Sequence, residues 1–455
     1  MRPMARLAWF SPMPPARTGV AVYSTEVVAG LRAAHEVHVY VDEPVAAAAR
    51  ARKADADDIG SAHDFVPRHA LEPYDLTVFQ LGNSSAHDFV WPYLCRYPGL
   101  AVLHDVHLHH ARAAALLRQK RPDAYREEFR EAHPDTLPDL AELAIRGFDS
   151  HRYYDWPMIR RVVEVARMTA VHSPEVATAL RDAYPGAVIE RIRLGHGEPL
   201  TPEARGVRSA RTRAVLGLGA DAVLFGVFGG LTPEKRIPQV LAAFAVTRGY
   251  APGAHLVLVG APAAHYDVAA DLRRHDLSAA VTVTGYVDDE AFTDYLAAAD
   301  VSLNLRWPSA REVSGPWVRA LAARTPTITT DLWHTADVPG LDPRSWTVTH
   351  VGYGAGLPDP VTVKIDILDE DHSLRLAMRR LATDAGLRER LAAAGRAWWD
   401  AEHEPRAMLA DYERVITRAL SGPARASREV PNHADDWLQA LVAPFGLTRS
   451  PWSKI

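Results

Sequence analysis

The sequence predicts an α/β protein built from two parallel-sheet domains that face each other across a cleft. Three observations carry this prediction. Short apolar segments of strand length alternate with helical stretches through most of the chain, the pattern of parallel strands covered by helices on both faces. The alternation breaks once, at Gly195-His196-Gly197-Glu198-Pro199-Leu200-Thr201-Pro202, and a second series then begins. In both series glycines and charged residues collect just after strands, where open α/β sheets bind their ligands.

In the first series Leu7 to Phe10 is a strand, followed by a proline-rich loop ending at Gly19. Val20 to Ala33 then places Val20, Tyr23, Val27, Val28 and Leu31 at helical spacing. Strand, glycine-containing loop and helix open a βαβ unit, and Gly19 stands where a phosphate or sugar could approach the backbone. Further strands are expected at Val37–Val41, Leu76–Gln80, Ala101–His104, Thr169–His172 and Val188–Leu194. The hexapeptide SAHDFV occurs at Ser61–Val66 and again at Ser85–Val90; two copies make no solenoid, and the repeat is read as coincidence. His104, His107, His109 and His110 crowd the end of one strand, but no spaced set of further ligands suggests a metal. A histidine at the carboxyl end of a parallel strand is better placed to contact substrate, which singles out His104, with Asn83 on the same edge. Residues 111–132 read as a helix broken at Pro122, with Arg112, Arg118, Lys120 and Arg121 before the break. These four suit a solvated face, and lipid docking is the alternative.

Residues 197–208 read as the linker between a domain at 1–196 and a second at 209–400. Strands follow at Val223–Phe228, His255–Val259, Val281–Thr284, Val301–Leu305 and Thr327–Thr329, with helices at Ile237–Thr247, Val268–His275 and Asp289–Ala298. Gly229-Gly230 ends the first of these strands, and Lys235-Arg236 then opens a helix, an arrangement suited to a diphosphate. The loop is no Walker A sequence. The stretch 301–331 is strand, polar loop, helix (Pro316 to Arg324) and strand, with Arg306, Arg311 and Glu312 in the loop. Ser314 is a favoured N-cap and Pro316 suits the first helical turn, so the N–H groups near Val313, Ser314 and Gly315 are available to an anion. Leu374–Leu381, Leu387–Asp400 and Ala407–Leu420 read as consecutive helices, with Trp398 and Trp399 as packing residues. A polar tail, 421–455, closes the chain with one short apolar helix at Trp437–Val442.

Composition narrows the function classes. Over 455 residues the net charge is −5, which gives no support for nucleic acid as the main partner. A single cysteine, Cys95, excludes an intrachain disulfide and a Cys-based zinc site. The N-terminal stretch is no signal peptide and no run of apolar residues is long enough to span a membrane. A cytoplasmic protein is expected, with peripheral membrane contact left open.

Taken together, these segments resemble the retaining glycosyltransferases of family 4, with the GT-B fold of two Rossmann-like, doubly wound domains. The resemblance spans about residues 5–420. It rests on 14–23 (PPARTGVAVY), Leu81-Gly82-Asn83 with His104-Asp105, Val171-His172-Ser173, 229–236 (GGLTPEKR), 284–289 (TGYVDD) and 312–328 (EVSGPWVRALAARTPTI). It implies a nucleotide-sugar donor and a hydroxyl acceptor as substrates, no cofactor, no metal, and a return of residues 401–420 to the first domain. Gly19 would flank the diphosphate, with Gly229, Gly230, Arg236 and the amides of Val313, Ser314 and Gly315. His104, Lys235 and Glu312 would form the catalytic set, and Asn83, Asp105 and His109 would lie on the acceptor side. Asp288 or Glu290 stands in the loop that approaches the nucleobase. Asp55-Ala56-Asp57 and Asp369-Glu370-Asp371 read as solvated acidic turns rather than as a metal-diphosphate motif. The reaction implied is retaining transfer of a sugar in glycan, glycolipid or glycoconjugate biosynthesis. Two positions depart from the family pattern: Ala320 replaces the second glutamate of E-x7-E, and Gly230 replaces an arginine. An inactive nucleotide-sugar-binding subunit, or an epimerase of the same fold, is therefore the alternative.

Overall fold

A computed structural model of the chain describes residues 4–46, 59–148, 151–219, 221–264, 266–349 and 359–423. The first domain holds strands β1 (Arg6–Phe10), β2 (Glu36–Val41), β3 (Ile59–Ser61), β4 (Leu76–Leu81), β5 (Leu100–Leu103), β6 (Met168–Val171) and β7 (Ile189–Arg191). They form one parallel sheet in the order 3-2-1-4-5-6-7. Both faces are buried, and β1 shows how. Leu7 and Trp9 point to one side, where Trp9 meets Tyr412 at 5.6 Å between ring centroids. Ala8 and Phe10 point to the other, where Phe10 packs on Tyr40, Phe65, Phe79 and Tyr93.

The second domain holds β8 (Leu224–Phe228), β9 (His255–Val259), β10 (Val281–Gly285), β11 (Val301–Asn304), β12 (Thr327–Thr330), β13 (Gly340–Leu341), β14 (Val348–Thr349) and β15 (Thr362–Ile365). Their order is 10-9-8-11-12-15-13-14, with β14 alone antiparallel to its neighbour. Strand order reverses at β1/β4 in the first sheet and at β8/β11 in the second. Such reversals open a crevice beyond the carboxyl ends of the strands. The loops after β8 and β11 flank the second of these crevices, and they contain Lys235 and Glu312.

Several local outcomes differ from the sequence reading. β3, β13, β14 and β15, absent from the sequence reading, are only two to four residues long. Half of the expected linker is helical. Thr201 caps a helix, Pro202–Val215, whose Arg208 and Arg211 pair with Asp294, and whose Arg213 pairs with Asp300. Both SAHDFV copies contain a 3-10 turn ahead of a helix, but out of register: Ala62–Asp64 with the helix from Phe65 in the first, Ser85–His87 with the helix from Val90 in the second. Arg112 does not belong to a basic surface. Its guanidinium is buried in a bidentate pair with Glu128 (2.6 and 2.7 Å) and lies over the Trp91 ring at 3.9 Å. Asp55-Ala56-Asp57 and Trp437–Val442 lie outside the described residues.

The last helices join the domains. Ala385–Glu402 packs on the Gly315–Ala322 helix, and the Trp399 indole N–H donates to the His196 carbonyl at 2.9 Å. Pro405–Ser421 lies against the first domain, where Tyr412 meets Tyr23 at 2.9 Å between hydroxyls and Asp411 grips Arg193 at 2.8 and 3.1 Å. One hydrophobic cluster therefore runs from Trp9 and Tyr23 through Trp399 and Tyr412 to Trp317. Among the described residues no helix is long and apolar enough to cross a membrane.

Candidate functional site

The site is assembled from loops at the crevice between the domains. After β8 the chain turns at Gly229 (φ 86°), whose N–H donates to the Val259 carbonyl at 2.9 Å. Gly260 lies so close that a Cβ there would sit 2.2 Å from the Gly229 oxygen. Only glycine fits this approach. A Cβ on Gly229 would itself meet Lys235 Nζ at 2.8 Å and Pro316 Cγ at 3.4 Å. The Lys235 ammonium and the first turn of the Gly315–Ala322 helix thus border the same small space.

That helix starts as its sequence dictates. Ser314 Oγ accepts the Trp317 N–H at 3.4 Å, and Pro316 occupies the first turn without an N–H to satisfy. The first N–H groups of a helix have no helical acceptor. Those around Ser314 and Gly315 therefore open toward the crevice. They adjoin a pocket lined by Arg306, Glu312, Val313, Ser314, His334 and Lys364, among others.

Lys235 follows in a 3-10 turn, and its ammonium donates to the Phe228 carbonyl. Burial, then the charge of Arg306, push its pKa down to about 7, against the pull of Glu312. Glu312 is 14% exposed, with one carboxylate oxygen 2.6 Å from Arg306 Nε and the other accepting from Ser309 Oγ at 3.0 Å. Arg306 played no part in the sequence assignment of the site. A signal existed, since it is the first residue of the loop after a buried strand at the sheet reversal. Tyr154, on a 3-10 turn of the first domain, also lies within electrostatic reach of Arg306, Glu312 and Asp105.

Asp105 faces this cluster from the first domain. Its carboxylate accepts the Asn83 N–H at 2.6 Å. Burial, and next the charge of Glu312, push its pKa up to about 7, against the Asn83 hydrogen bond and Arg306. The native protein therefore holds a proton on Asp105 up to about pH 7, which the unfolded chain releases near pH 4. Between these values the folded state binds more protons, so this group makes stability fall as pH rises. Asp105→Asn is expected to raise the melting temperature at pH 8 by at least about 2 °C and to leave it nearly unchanged at pH 4. Thermal melts across that range check it.

The other sequence-assigned residues fall into three groups. Val313 and Ser314 line the cavity with Glu312, Gly229 borders Lys235, Gly230 and Gly315 flank them in sequence, and Gly19 opens the first helix with no atom within 4 Å of where a Cβ would stand. Asn83 supports others: its N–H binds Asp105 and its side-chain oxygen accepts the Ala111 N–H at 3.0 Å. Three residues have their polar atoms engaged by other side chains or backbone groups. His104 lies between the Gln80 amide (2.8 Å) and the His172 ring (3.2 Å), edge-on to Tyr23, so both ring nitrogens are occupied. Burial first, then His172, hold its pKa well below the ordinary value. The residue is part-buried at the carboxyl end of its strand, next to Asp105. His109 is fully buried, bonded to the Tyr153 carbonyl at 3.2 Å and the Tyr125 hydroxyl at 2.7 Å. Arg236 adopts a left-handed backbone (φ 58°) that aims its guanidinium at Glu370, at 2.7 Å. The Asp369-Glu370-Asp371 segment is therefore no fully solvated turn, because Glu370 is the partner of Arg236. Asp288 caps the Asp289–Ala298 helix through the Ala291 N–H at 2.8 Å, and Glu290 lies in its first turn.

Ala320 is fully buried among Leu224, Phe228 and Val257. A carboxylate there would point into an apolar core, so its absence removes nothing from the crevice. Among the described residues no group of three His, Cys, Asp or Glu side chains could hold a metal ion.

The two domains touch directly at this site. The N–H groups of Val106 and His107 donate to the Ala310 carbonyl at 2.8 and 3.2 Å, and Ser173 Oγ donates to the His334 carbonyl at 2.7 Å. The loop bearing Asp105 is thereby pinned against the loop bearing Arg306 and Glu312.

Residues 222–344, which include Gly229, Lys235, Arg306, Glu312 and the Gly315–Ala322 helix, match the family model described as Glycosyl transferases group 1. No curated protein sequence matches the chain. Among solved structures, the sucrose-phosphate synthase from Thermosynechococcus elongatus shares 16% identity at a TM-score of 0.60, covering 91% of this chain and 98% of that one. HepE of Anabaena in complex with UDP-glucose shares 14% at 0.60, with 91% and 100% covered. WaaG, a glycosyltransferase involved in lipopolysaccharide biosynthesis, shares 15% at 0.57, with 90% and 99% covered. At these identities the likeness is one of fold: two facing α/β domains in the GT-B arrangement, with the group 1 glycosyltransferase match confined to the second.

Proposed function

We propose that the protein is a glycosyltransferase that moves a sugar, with retention of anomeric configuration, from a nucleoside-diphosphate donor to an acceptor hydroxyl. The observation that carries this is the convergence of the Lys235 ammonium and the Gly315–Ala322 helix mouth on one space beside Gly229. The difficult event is departure of a diphosphate from an anomeric carbon, during which negative charge grows on the phosphate nearest the sugar. Cations and N–H dipoles already aimed at that position lower the barrier without reorganising. Lys235 leaves the Phe228 carbonyl for the phosphate, whose charge restores the proton that burial weakens. The Ser314–Gly315 amides meet the same phosphate from the helix end. Glu312 stands at the sugar side, and Asp105 approaches from the first domain, where the acceptor would enter.

The group 1 match over residues 222–344 and the UDP-glucose held by HepE of Anabaena support the donor class. Retention, a metal-independent diphosphate site and a place in glycan or glycoconjugate assembly follow from the resemblance to family 4. The test is a thermal-shift screen of UDP-, GDP- and ADP-sugars, followed by assay of nucleoside-diphosphate release with sugar and lipid-linked acceptors. One base is expected to stabilise the protein and to be released on turnover, with the product anomer matching the donor. Failure of every nucleotide to bind would overturn the reading.

A further inference from the structure

We propose that Arg306, presented from the end of β11, is the second cation that grips the leaving diphosphate. This assignment rests on the nucleotide-sugar reading above and adds a residue to it. Three features of the structure lead to it. The glycine-rich loop supplies one cation only, because Gly230 has no side chain and Arg236 is committed to Glu370. Arg306 enters the crevice from the other loop of the same sheet reversal and lines the cavity shared with Val313, Ser314 and Glu312.

The third feature is the state of its guanidinium. Glu312 lies 2.6 Å from Nε and holds the group from its inner side. Among the described residues the two terminal nitrogens have no hydrogen-bond acceptor, the side chain is 33% exposed, and it is among those that line the cavity. A guanidinium with its fork unfilled matches two phosphate oxygens, which a single ammonium does not. Arg306 and Lys235 also stand close enough to repel, which contributes to the lowered Lys235 pKa. Burial raises the pKa of Asp105 to about 7, so near neutrality that carboxyl carries only part of a compensating charge. A dianionic phosphate placed between the two cations removes the repulsion and fills the fork.

The experiment is calorimetric titration of the full chain with UDP and UMP, GDP and GMP, and ADP and AMP. Arg306→Ala is expected to weaken the preferred diphosphate about 10- to 100-fold, the range for hydrogen bonds to a charged group, and to leave the matching monophosphate nearly unchanged. Arg306→Lys should recover only part, since it restores charge without the fork. In the double variant Arg306→Ala with Gly230→Arg, the new side chain enters open space, with no atom within 4 Å of its Cβ. It is expected to return part of the diphosphate affinity, which a scaffolding role for Arg306 would not allow. Melting curves without nucleotide establish that each variant is folded. The assignment is overturned if Arg306→Ala binds the diphosphate as the parent does, or loses mono- and diphosphate by one common factor. A parent protein that binds none of these nucleotides overturns the glycosyltransferase reading as well.

Discussion

Lys235→Ala is expected to lower turnover about 10²- to 10³-fold, the loss seen when one preorganised charge-stabilising donor is removed. The Lys235 side chain is part-buried, with its ammonium beside Gly229 and close to the helix mouth. Its stabilisation is needed most when the sugar–phosphate bond is breaking, so the loss should appear in kcat rather than in donor KM alone. The neighbouring cation gives the control. Arg236→Ala breaks the pair with Glu370 and lowers stability, but turnover per folded molecule should change little, because that guanidinium points away from the crevice. Steady-state kinetics of the two variants with the same donor distinguish the roles. Equal losses would mean that the whole loop acts only as a scaffold.

Glu128→Ala is expected to destabilise the first domain by about 3–5 kcal/mol, the cost of leaving a buried charge without its partner. Glu128 is 3% exposed and receives Arg112 through two hydrogen bonds and Arg161 through a third, at 3.1 Å. Burial alone would raise its pKa, but these arginines outweigh that and hold it below the usual carboxylate range. Removing the carboxylate strands Arg112 between the Trp91 ring and an apolar helical cluster. Glu128→Gln, which keeps the shape and some hydrogen bonds, should cost less. Urea denaturation followed by aromatic fluorescence checks both. The cluster carries His109 and adjoins Tyr154, so activity should fall at temperatures where the parent remains folded.

The sequence made the fold readable where local and global signals agreed. Val301–Leu305, Ser314 and Pro316 specify strand, cap and helix start by chemistry that needs no distant partner, and the structure places them within a residue or two of expectation. The helices Ile237–Thr247 and Asp289–Ala298 fall where their periodicity puts them. What could not be read depended on tertiary neighbours. Arg236 looks like a phosphate ligand until its left-handed backbone and the remote Glu370 are seen together. His104 has the right place on its strand, but only the fold brings Gln80 and His172 to its two nitrogens. Ala320 looks like a missing ligand in an E-x7-E register, yet the helix turns that position into the core. Arg306 and Arg311 are equivalent in sequence, as charged residues of one loop. In three dimensions Arg306 joins Lys235 and Asp105, while Arg311 lies over the Trp333 ring at 4.9 Å.

The most direct measurement is a crystal structure of the protein soaked with the nucleoside diphosphate that stabilises it most. The account predicts the terminal phosphate about 2.7–3.2 Å from Lys235 Nζ and from an amide at Ser314 or Gly315, with the nucleoside on the second domain. A diphosphate bound elsewhere, with Lys235 still donating to the Phe228 carbonyl and the helix mouth empty, would contradict it.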